Sequence, residues 1–328
     1  MRAVVVGAGA VGTVYAHHLA LGGADVDLLV RPHAVRAARA GTSLTRIPFL
    51  GRREVEQFRP RRVLAAAAEL ADGEPIDQIW VALPSNAIRE ALLADLARVA
   101  PRASVVVLAP GRIVRDIALA ALGSARTVFG EIGMISYATP LEGSLDPKET
   151  SATPGLAFLL TETKLSSMAE RRALDAASAL RRGGCRAALV EDATADVAFG
   201  SAVLMPTVVG LELGGYSFER FRAEHADRTA RAISEAVAIA RATTGRDAPV
   251  GASLAAGPAG ALLLRTGTIL APRFAPLDIE RFLAAHFSKV GEQTSLLLAH
   301  MIEQAATLGL PADALRSLLG LLEEARAR

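Results

Sequence analysis

The chain has 328 residues, room for two domains and a sizeable core. Hydrophobic residues make up 51% but aromatics only 4%, so much of the apolar content is alanine and leucine, which favours helix. The near-balanced formal charge of +2 argues against a nucleic-acid partner, and the single cysteine, Cys185, excludes a disulfide framework or a cysteine-based zinc site within one chain.

In chain order, RAVVVGAG from Arg2 reads as a buried strand, which leaves no room before it for a signal peptide. VGTVYAHHLALGG reads as a helix stopped by Gly22 and Gly23, and DVDLLVR as the next strand. QIWVAL (78–83), SVVVLA (104–109) and TVFGEIGMIS (127–136) follow as strands, with AIREALLADLARVA as a helix between the first two. GLAFLLTE and RAALVED are later strands. Strands alternating with helices predict a parallel sheet covered on both faces, an α/β doubly wound domain over residues 1–192. After Glu191 the strand-like runs stop. RTARAISEAVAIARATTG and LDIERFLAAHFSKVGEQTSLLLAHMIEQAATLG carry helical periodicity, so residues 193–328 are expected to form an all-α domain. The apolar stretch GASLAAGPAGALLLRTGTILAP contains Arg265 and several Gly and Pro, which makes it a poor membrane span. A cytoplasmic protein with no membrane partner is expected.

VVVGAGAVGTVY places Gly7, Gly9 and Gly12 in a G-x-G-x-x-G pattern after a strand and at the start of a helix. Gly7 permits the tight turn, Gly9 lets backbone approach a pyrophosphate, and Gly12 lets the helix pack closely on the strand. The helix N-terminus offers N–H groups and a positive dipole end to phosphates, so Gly7, Ala8, Gly9, Ala10, Val11 and Gly12 are read as the floor of a dinucleotide site. An NAD enzyme would place an acid at the end of the second strand. Here Val30, Arg31 and Pro32 stand there. A 2′-phosphate would be repelled by an acid and paired by Arg31, which points to NADP(H). Two further turns, Leu83, Pro84 and Ser85 after one strand and Ala109, Pro110 and Gly111 after the next, are expected to complete the groove.

With Arg31, VVVGAGAVG, EAVAIARATTG and AATLGLP, the chain resembles the ketopantoate reductase family (2-dehydropantoate 2-reductases). The resemblance implies a Rossmann domain, a helical domain, and NADPH reduction of a 2-keto acid bound between the two. The family's catalytic positions carry over poorly. Its Asn-Gly pair falls on Pro110 and Gly111. With Pro206 as anchor, its lysine falls on Val197 and its asparagine on Ser201, and residues 193–207 contain no lysine. The glutamate of its TEID motif falls near Gln293, with Glu292 adjacent.

An alkoxide formed by ketone reduction needs a proton donor and a hydrogen-bonding or positive group, and Val197 is neither. His286, Lys289 and Gln293, spaced i, i+3, i+7, share one side of a helix and are the candidate replacements. A solvated helix flank is the bland reading of the same stripe. Ser201 is a candidate substrate contact or a small packing residue. Glu131, an acid inside an apolar run, is expected to pair with Arg112 or Lys289 or to act as a proton donor. His17 and His18 are expected on the surface of the first helix, and the histidines and acids show no metal spacing. The expected activity is an NADPH-dependent reduction of a carbonyl or imine in a small carboxylate-bearing substrate other than ketopantoate. A catalytically inactive NADPH-binding protein and an opine-type dehydrogenase are the alternatives. A homodimer is expected.

Overall fold

Valine-rich runs such as Val4–Val6 and Val105–Val107 suit strands buried on both faces, and Ala/Leu-rich segments between them form helices. The computed structural model describes every residue except Leu50, Asp72, Ala109, Pro110, Val290 and Arg328, and Lys289 in its backbone only. Along the chain run β1 (Arg2–Val6), α1 (Ala10–Leu21), β2 (Asp25–Leu29), α2 (Val35–Ala40), β3 (Thr42–Arg46), β4 (Glu54–Phe58) and β5 (Arg62–Leu64). Then come β6 (Gln78–Val81), α3 (Glu90–Val99), β7 (Ser104–Leu108), α4 (Arg112–Leu122), β8 (Thr127–Glu131) and β9 (Met134–Thr139). The α/β half ends with α5 (Pro147–Thr150), β10 (Gly155–Leu160), β11 (Glu162–Ser166), α6 (Glu170–Arg182) and β12 (Arg186–Leu189). Only helices follow: α7 (Ala193–Leu213), α8 (Phe218–Arg220), α9 (Ala226–Thr244), α10 (Val250–Ala256), α11 (Gly260–Phe274), α12 (Ile279–Lys289), α13 (Gly291–Leu308) and α14 (Asp313–Ala327).

The chain divides into two units, Met1–Pro140 with Ser151–Thr194, and Leu141–Thr150 with Ala195–Arg328. The segment 141–150, which the sequence reading leaves in the first domain, goes with the helices. There the Ser144 hydroxyl donates to Asp278 Oδ2 at 2.8 Å.

Among the described residues of the first unit, eight strands form a sheet in the order β12-β11-β8-β7-β6-β1-β2-β5. Every neighbouring pair is parallel except β8 with β11. A second sheet, β4-β3-β10-β9, is absent from the sequence reading. The run 127–136, read as one strand, instead breaks at Ile132–Gly133 and passes from one sheet to the other. Two contacts cause the break. A Cβ on Gly133 would lie 2.2 Å from the Thr163 nitrogen, so only glycine fits. The Gly133 N–H donates to the Tyr15 hydroxyl at 3.1 Å, and that hydroxyl shares a second hydrogen bond of 2.8 Å with Thr163 Oγ1. Tyr15 is fully buried and stacks on Trp80, ring centroids 5.8 Å apart.

The two histidines of α1 are buried, not on its surface. His17 Nε2 is 2.7 Å from Glu56 Oε2 on β4, and His18 donates from Nδ1 to the Gly183 carbonyl at 2.7 Å. Their rings meet Phe58 and Phe158 edge-on, so α1 is clamped against the second sheet as well as the first. The helix periodicity hides this, because α1 is apolar on nearly every side.

In the helical unit, Phe199, Ala202 and Val209 of α7, Ile233 and Val237 of α9, Leu298 of α13 and Leu318 of α14 share one core. The helix α7 is long and apolar enough to cross a membrane by length and composition. Its place in that core accounts for the same apolarity. Glu235 of α9 accepts from the Ala314 and Leu315 N–H groups at 3.0 and 2.9 Å and so caps α14.

At the start of the first unit, Asp27 on β2 is fully buried and holds three arginines. Arg2 reaches its Oδ2 at 3.0 and 3.1 Å, Arg61 bonds both oxygens at 3.0 and 3.1 Å, and Arg62 bonds Oδ2 at 3.2 Å. Burial alone would raise the carboxyl pKa. The hydrogen bonds from Arg61, Arg62 and Arg2 outweigh it and hold the group below its usual range. Asp27→Asn should cost about 3–5 kcal/mol in urea denaturation, since it leaves the buried Arg2 guanidinium without its counter-charge. The ion-pair stabilisation is present above the ordinary carboxyl pKa of about 4 and is lost as pH falls through the lowered folded value. The acid limb of the stability profile should therefore flatten in Asp27→Asn; an unchanged limb contradicts this reading.

Candidate functional site

The turn between β1 and α1 is built by contact distances. Gly7 has φ +99°, a conformation that favours glycine, and its N–H donates to the Leu29 carbonyl at 2.9 Å. A Cβ on Gly12 would lie 2.0 Å from the Gly7 oxygen, so α1 sits on the turn itself. Gly9 is different: a Cβ there would meet no atom within 4 Å. Gly9 is also the N-cap of α1, with no side-chain cap, and the first turn has no acidic residue. The N–H groups of Ala10, Val11 and Gly12 therefore lack an intrahelical acceptor, beside open space at Gly9, an arrangement suited to an anion. Ala8 packs its methyl against the core beside them.

Parallel pairing puts the ends of β1, β6 and β7 side by side. After β6, Leu83 is half-buried, and its side chain and the Ala82 carbonyl would lie within 2.8 Å of a Cβ on Gly7. Pro84 is exposed with extended backbone, and its carbonyl accepts from Ala87 at 2.8 Å, which turns the chain through Ser85. After β7, Gly111 is the N-cap of α4, again without a side-chain cap and with open space at its Cβ position. The other two residues of that expected turn, Ala109 and Pro110, lie outside the described residues. A dinucleotide fits what is present: two uncapped helix starts and two glycines opening on free space.

At the end of β2, Arg31 is exposed in extended conformation, φ −63° and ψ 148°. Its guanidinium makes no hydrogen bond or ion pair among the described residues. Among the described residues no carboxylate pairs with it. Asp27 is committed to its three arginines, and Asp25 begins the strand at its other end.

The expected catalytic residues are not all brought together. Glu131 on β8 pairs with its cross-strand partner Lys164, Nζ to Oε2 3.1 Å, and not with Arg112. An antiparallel neighbour supplies the counter-charge that the strand sequence alone does not show. His286 on α12 is half-buried between Phe282 and Phe287, ring centroids 5.5 and 4.9 Å away. The Lys289 side chain lies outside the described residues. Gln293 is half-buried in the first turn of α13. Arg326 ties that turn to the end of α7, bonding Glu212 at 2.7 and 2.9 Å, Ser295 Oγ at 2.8 Å and the Gly291 carbonyl at 3.3 Å. Ser201 is half-buried eleven residues before Glu212, about 16 Å along α7. Ser201 and Gln293 thus sit at different levels of the helical unit.

Tyr216, which the sequence reading passes over, lies at the Gln293 end. It has φ +58°, a strained value for an aromatic residue. Its hydroxyl donates to Glu212 Oε2 at 3.4 Å and bonds Ser288 of α12. Burial, reinforced by Glu212, pushes the phenol up to about 12, so it stays a neutral hydrogen-bond donor at ordinary pH. The preceding Gly214–Gly215 pair is the signal that marks this sharp turn. Among the described residues no three His, Cys, Asp or Glu side chains gather as a metal site requires.

Fold and turn together define a doubly wound, dinucleotide-type unit followed by an all-helical one. Residues 3–139 match the family model described as Ketopantoate reductase PanE/ApbA. Solved structures share the fold over the whole chain. The 2-dehydropantoate 2-reductase of Methylococcus capsulatus is 18% identical with a TM-score of 0.70, covering 100% of this chain and 97% of that one. D-mandelate dehydrogenase with NADH and anilino(oxo)acetate is 15% identical, TM-score 0.69, over 99% and 98%. The PanE/ApbA family ketopantoate reductase of Ralstonia eutropha JMP134 is 17% identical, TM-score 0.68, over 98% and 97%. No curated protein matches the sequence.

The three glycines should separate in stability measurements. Gly12→Ala should lose about 3 kcal/mol or more, because backbone must move to admit the methyl. Gly9→Ala should stay within about 0.5 kcal/mol of the parent. Equal losses in urea denaturation would mean that the turn is not packed as described.

Proposed function

We propose that the chain is an NADPH-dependent oxidoreductase that reduces the carbonyl or imine of a small carboxylate-bearing substrate other than ketopantoate. One observation carries the reading: the uncapped β1–α1 turn opens on free space at Gly9 while Arg31 stands unpartnered at the end of β2. Gly7 to Gly12, Leu83 to Ser85 and Gly111 would hold the dinucleotide, with Ala109 and Pro110 in the same turn. Arg31 would pair with a 2′-phosphate. The bound cofactor supplies a hydride to the substrate carbon. D-mandelate dehydrogenase, which shares the fold, is described with NADH and an oxoacetate, so the fold accommodates oxo acids beyond ketopantoate.

The chain's own residues must then stabilise and protonate the new alkoxide. Val197 at the family's lysine position does neither. His286, Lys289 and Gln293 are assigned to this work, with Lys289 polarising the carbonyl or holding the carboxylate and His286 giving the proton. Ser201 is assigned a substrate contact from the resemblance, and Glu131 serves as an ion pair with Lys164. A second reading, a protein that binds NADPH without turnover, is favoured by the absence of lysine from residues 193–207. An amine requirement in turnover would indicate an opine-type reaction.

Three measurements test this. NADPH oxidation should proceed with at least one 2-oxo acid, alone or with an amine, and be weak with ketopantoate. Lys289→Ala should lower kcat about 100-fold with NADPH affinity nearly unchanged. Binding without turnover across the panel would leave the second reading. Arg31→Ala should weaken NADPH binding about tenfold or more and leave NADH binding unaltered; equal effects on both cofactors would remove the 2′-phosphate assignment.

A further inference from the structure

The helices α10 and α11 of the helical unit present an apolar face that no described residue of that unit covers. Val250 and Leu254 on α10, and Leu262, Leu263, Leu270 and Phe274 on α11, are exposed by between 40% and 78%. At about 150–250 Å² for a large side chain, these six leave roughly 600 Å² of apolar surface in water. That is at the upper end of the patches tolerated on monomers, about 300–600 Å². With the Gly, Ala and Thr residues between them it approaches the roughly 800 Å² each partner contributes to a standard interface.

We propose that this face is the contact surface of a homodimer, in which α11 packs antiparallel on α11 of a second copy about a twofold axis through Thr266 and Gly267. The centre of the face is small. Gly267 is exposed and a Cβ there would meet no atom within 4 Å, so two backbones can approach. Twofold pairing about that point sets Leu263 against the partner's Leu270, Leu262 against the partner's Ala271, and Phe274 over the partner's Ala259. Large residues then meet small ones at the flanks, as an isologous interface requires.

Charge favours a second copy as the occupant. Residues 250–274 contain no Lys, Asp or Glu and only two arginines. Arg265 is turned back to α9, bonding Asp227 at 2.9 Å through both nitrogens. Arg273 stands near one end of α11, so an antiparallel pair separates the two copies' Arg273 by about 20 Å, twice the Debye length in ordinary salt. A formal charge of +2 adds little long-range repulsion. A helix lying on a membrane would instead carry a flanking row of Lys or Arg, which this pair lacks.

Sedimentation of the full chain at about 20 µM should give about 68 kDa, twice the 34.2 kDa of one chain. Leu270→Glu should raise the dimer dissociation constant about 100-fold or more. Because Leu270 is exposed, helix content and Trp80 emission should not change. Thr266→Cys under mild copper-catalysed air oxidation should give a disulfide-linked dimer, and Leu254→Cys should not. A wild-type chain that sediments as a monomer, a dimer that survives Leu270→Glu, or equal cross-linking at both cysteine positions would overturn the proposal. So would wild-type monomers that bind phosphatidylglycerol vesicles and lose that binding in Leu270→Glu, which would make a lipid surface the occupant.

Discussion

The closeness of α1 to the turn that precedes it is the constraint on which the first unit depends. With Gly12 over the Gly7 carbonyl, the helix begins directly at the end of β1, and its first N–H groups are left facing outward. The same placement buries Tyr15 against Trp80 and brings its hydroxyl to Gly133 and Thr163, where the chain changes sheets. One turn further on, His17 and His18 reach the second sheet. A single helix therefore registers both sheets while leaving its own N-terminus free for an anion. A larger residue at position 12 would lift α1 and disturb every one of these contacts.

Charge is partitioned along β2 in a way that serves the same end. The buried carboxylate of Asp27 is neutralised by Arg2, Arg61 and Arg62 within the sheet. The far end of the strand is left with an exposed cation and no acid. In doubly wound dinucleotide-binding folds, the sign of the charge at such a strand end selects between the two nicotinamide dinucleotides. Asp27 and Arg31 thus do separate work four residues apart, one in holding the sheet together and one in facing solvent.

Much of this was legible in the sequence because it depends on local pattern. The glycine spacing, the strand-helix alternation up to Glu191 and the helical remainder need only neighbours in the chain. What was not legible depends on contacts distant in sequence. Glu131 finds Lys164 across an antiparallel pair, and no one-dimensional pattern names that partner. The strand split at Gly133 had a signal, a glycine inside an apolar run, whose meaning depends on Thr163 thirty residues later. The buried histidines looked polar and therefore exposed, yet each finds an acceptor or acid on another element. In the helical unit, spacing put His286, Lys289 and Gln293 on one side of a single helix, whereas His286 and Lys289 fall on α12 and Gln293 on α13; only tertiary contacts show Ser201 at another level and Tyr216 beside Glu212 and Ser288.

Direct binding of the reduced cofactors tests the central claim most simply, because Trp80 is the only tryptophan and lies on β6, just before the Leu83–Ser85 turn. Energy transfer from Trp80 to added NADPH and NADH, titrated in parallel, reports occupancy without requiring turnover. The account predicts saturable transfer with both, and an affinity for NADPH at least about tenfold higher, as one guanidinium–phosphate pair supplies. Saturation by neither cofactor, or a preference for NADH, would contradict it.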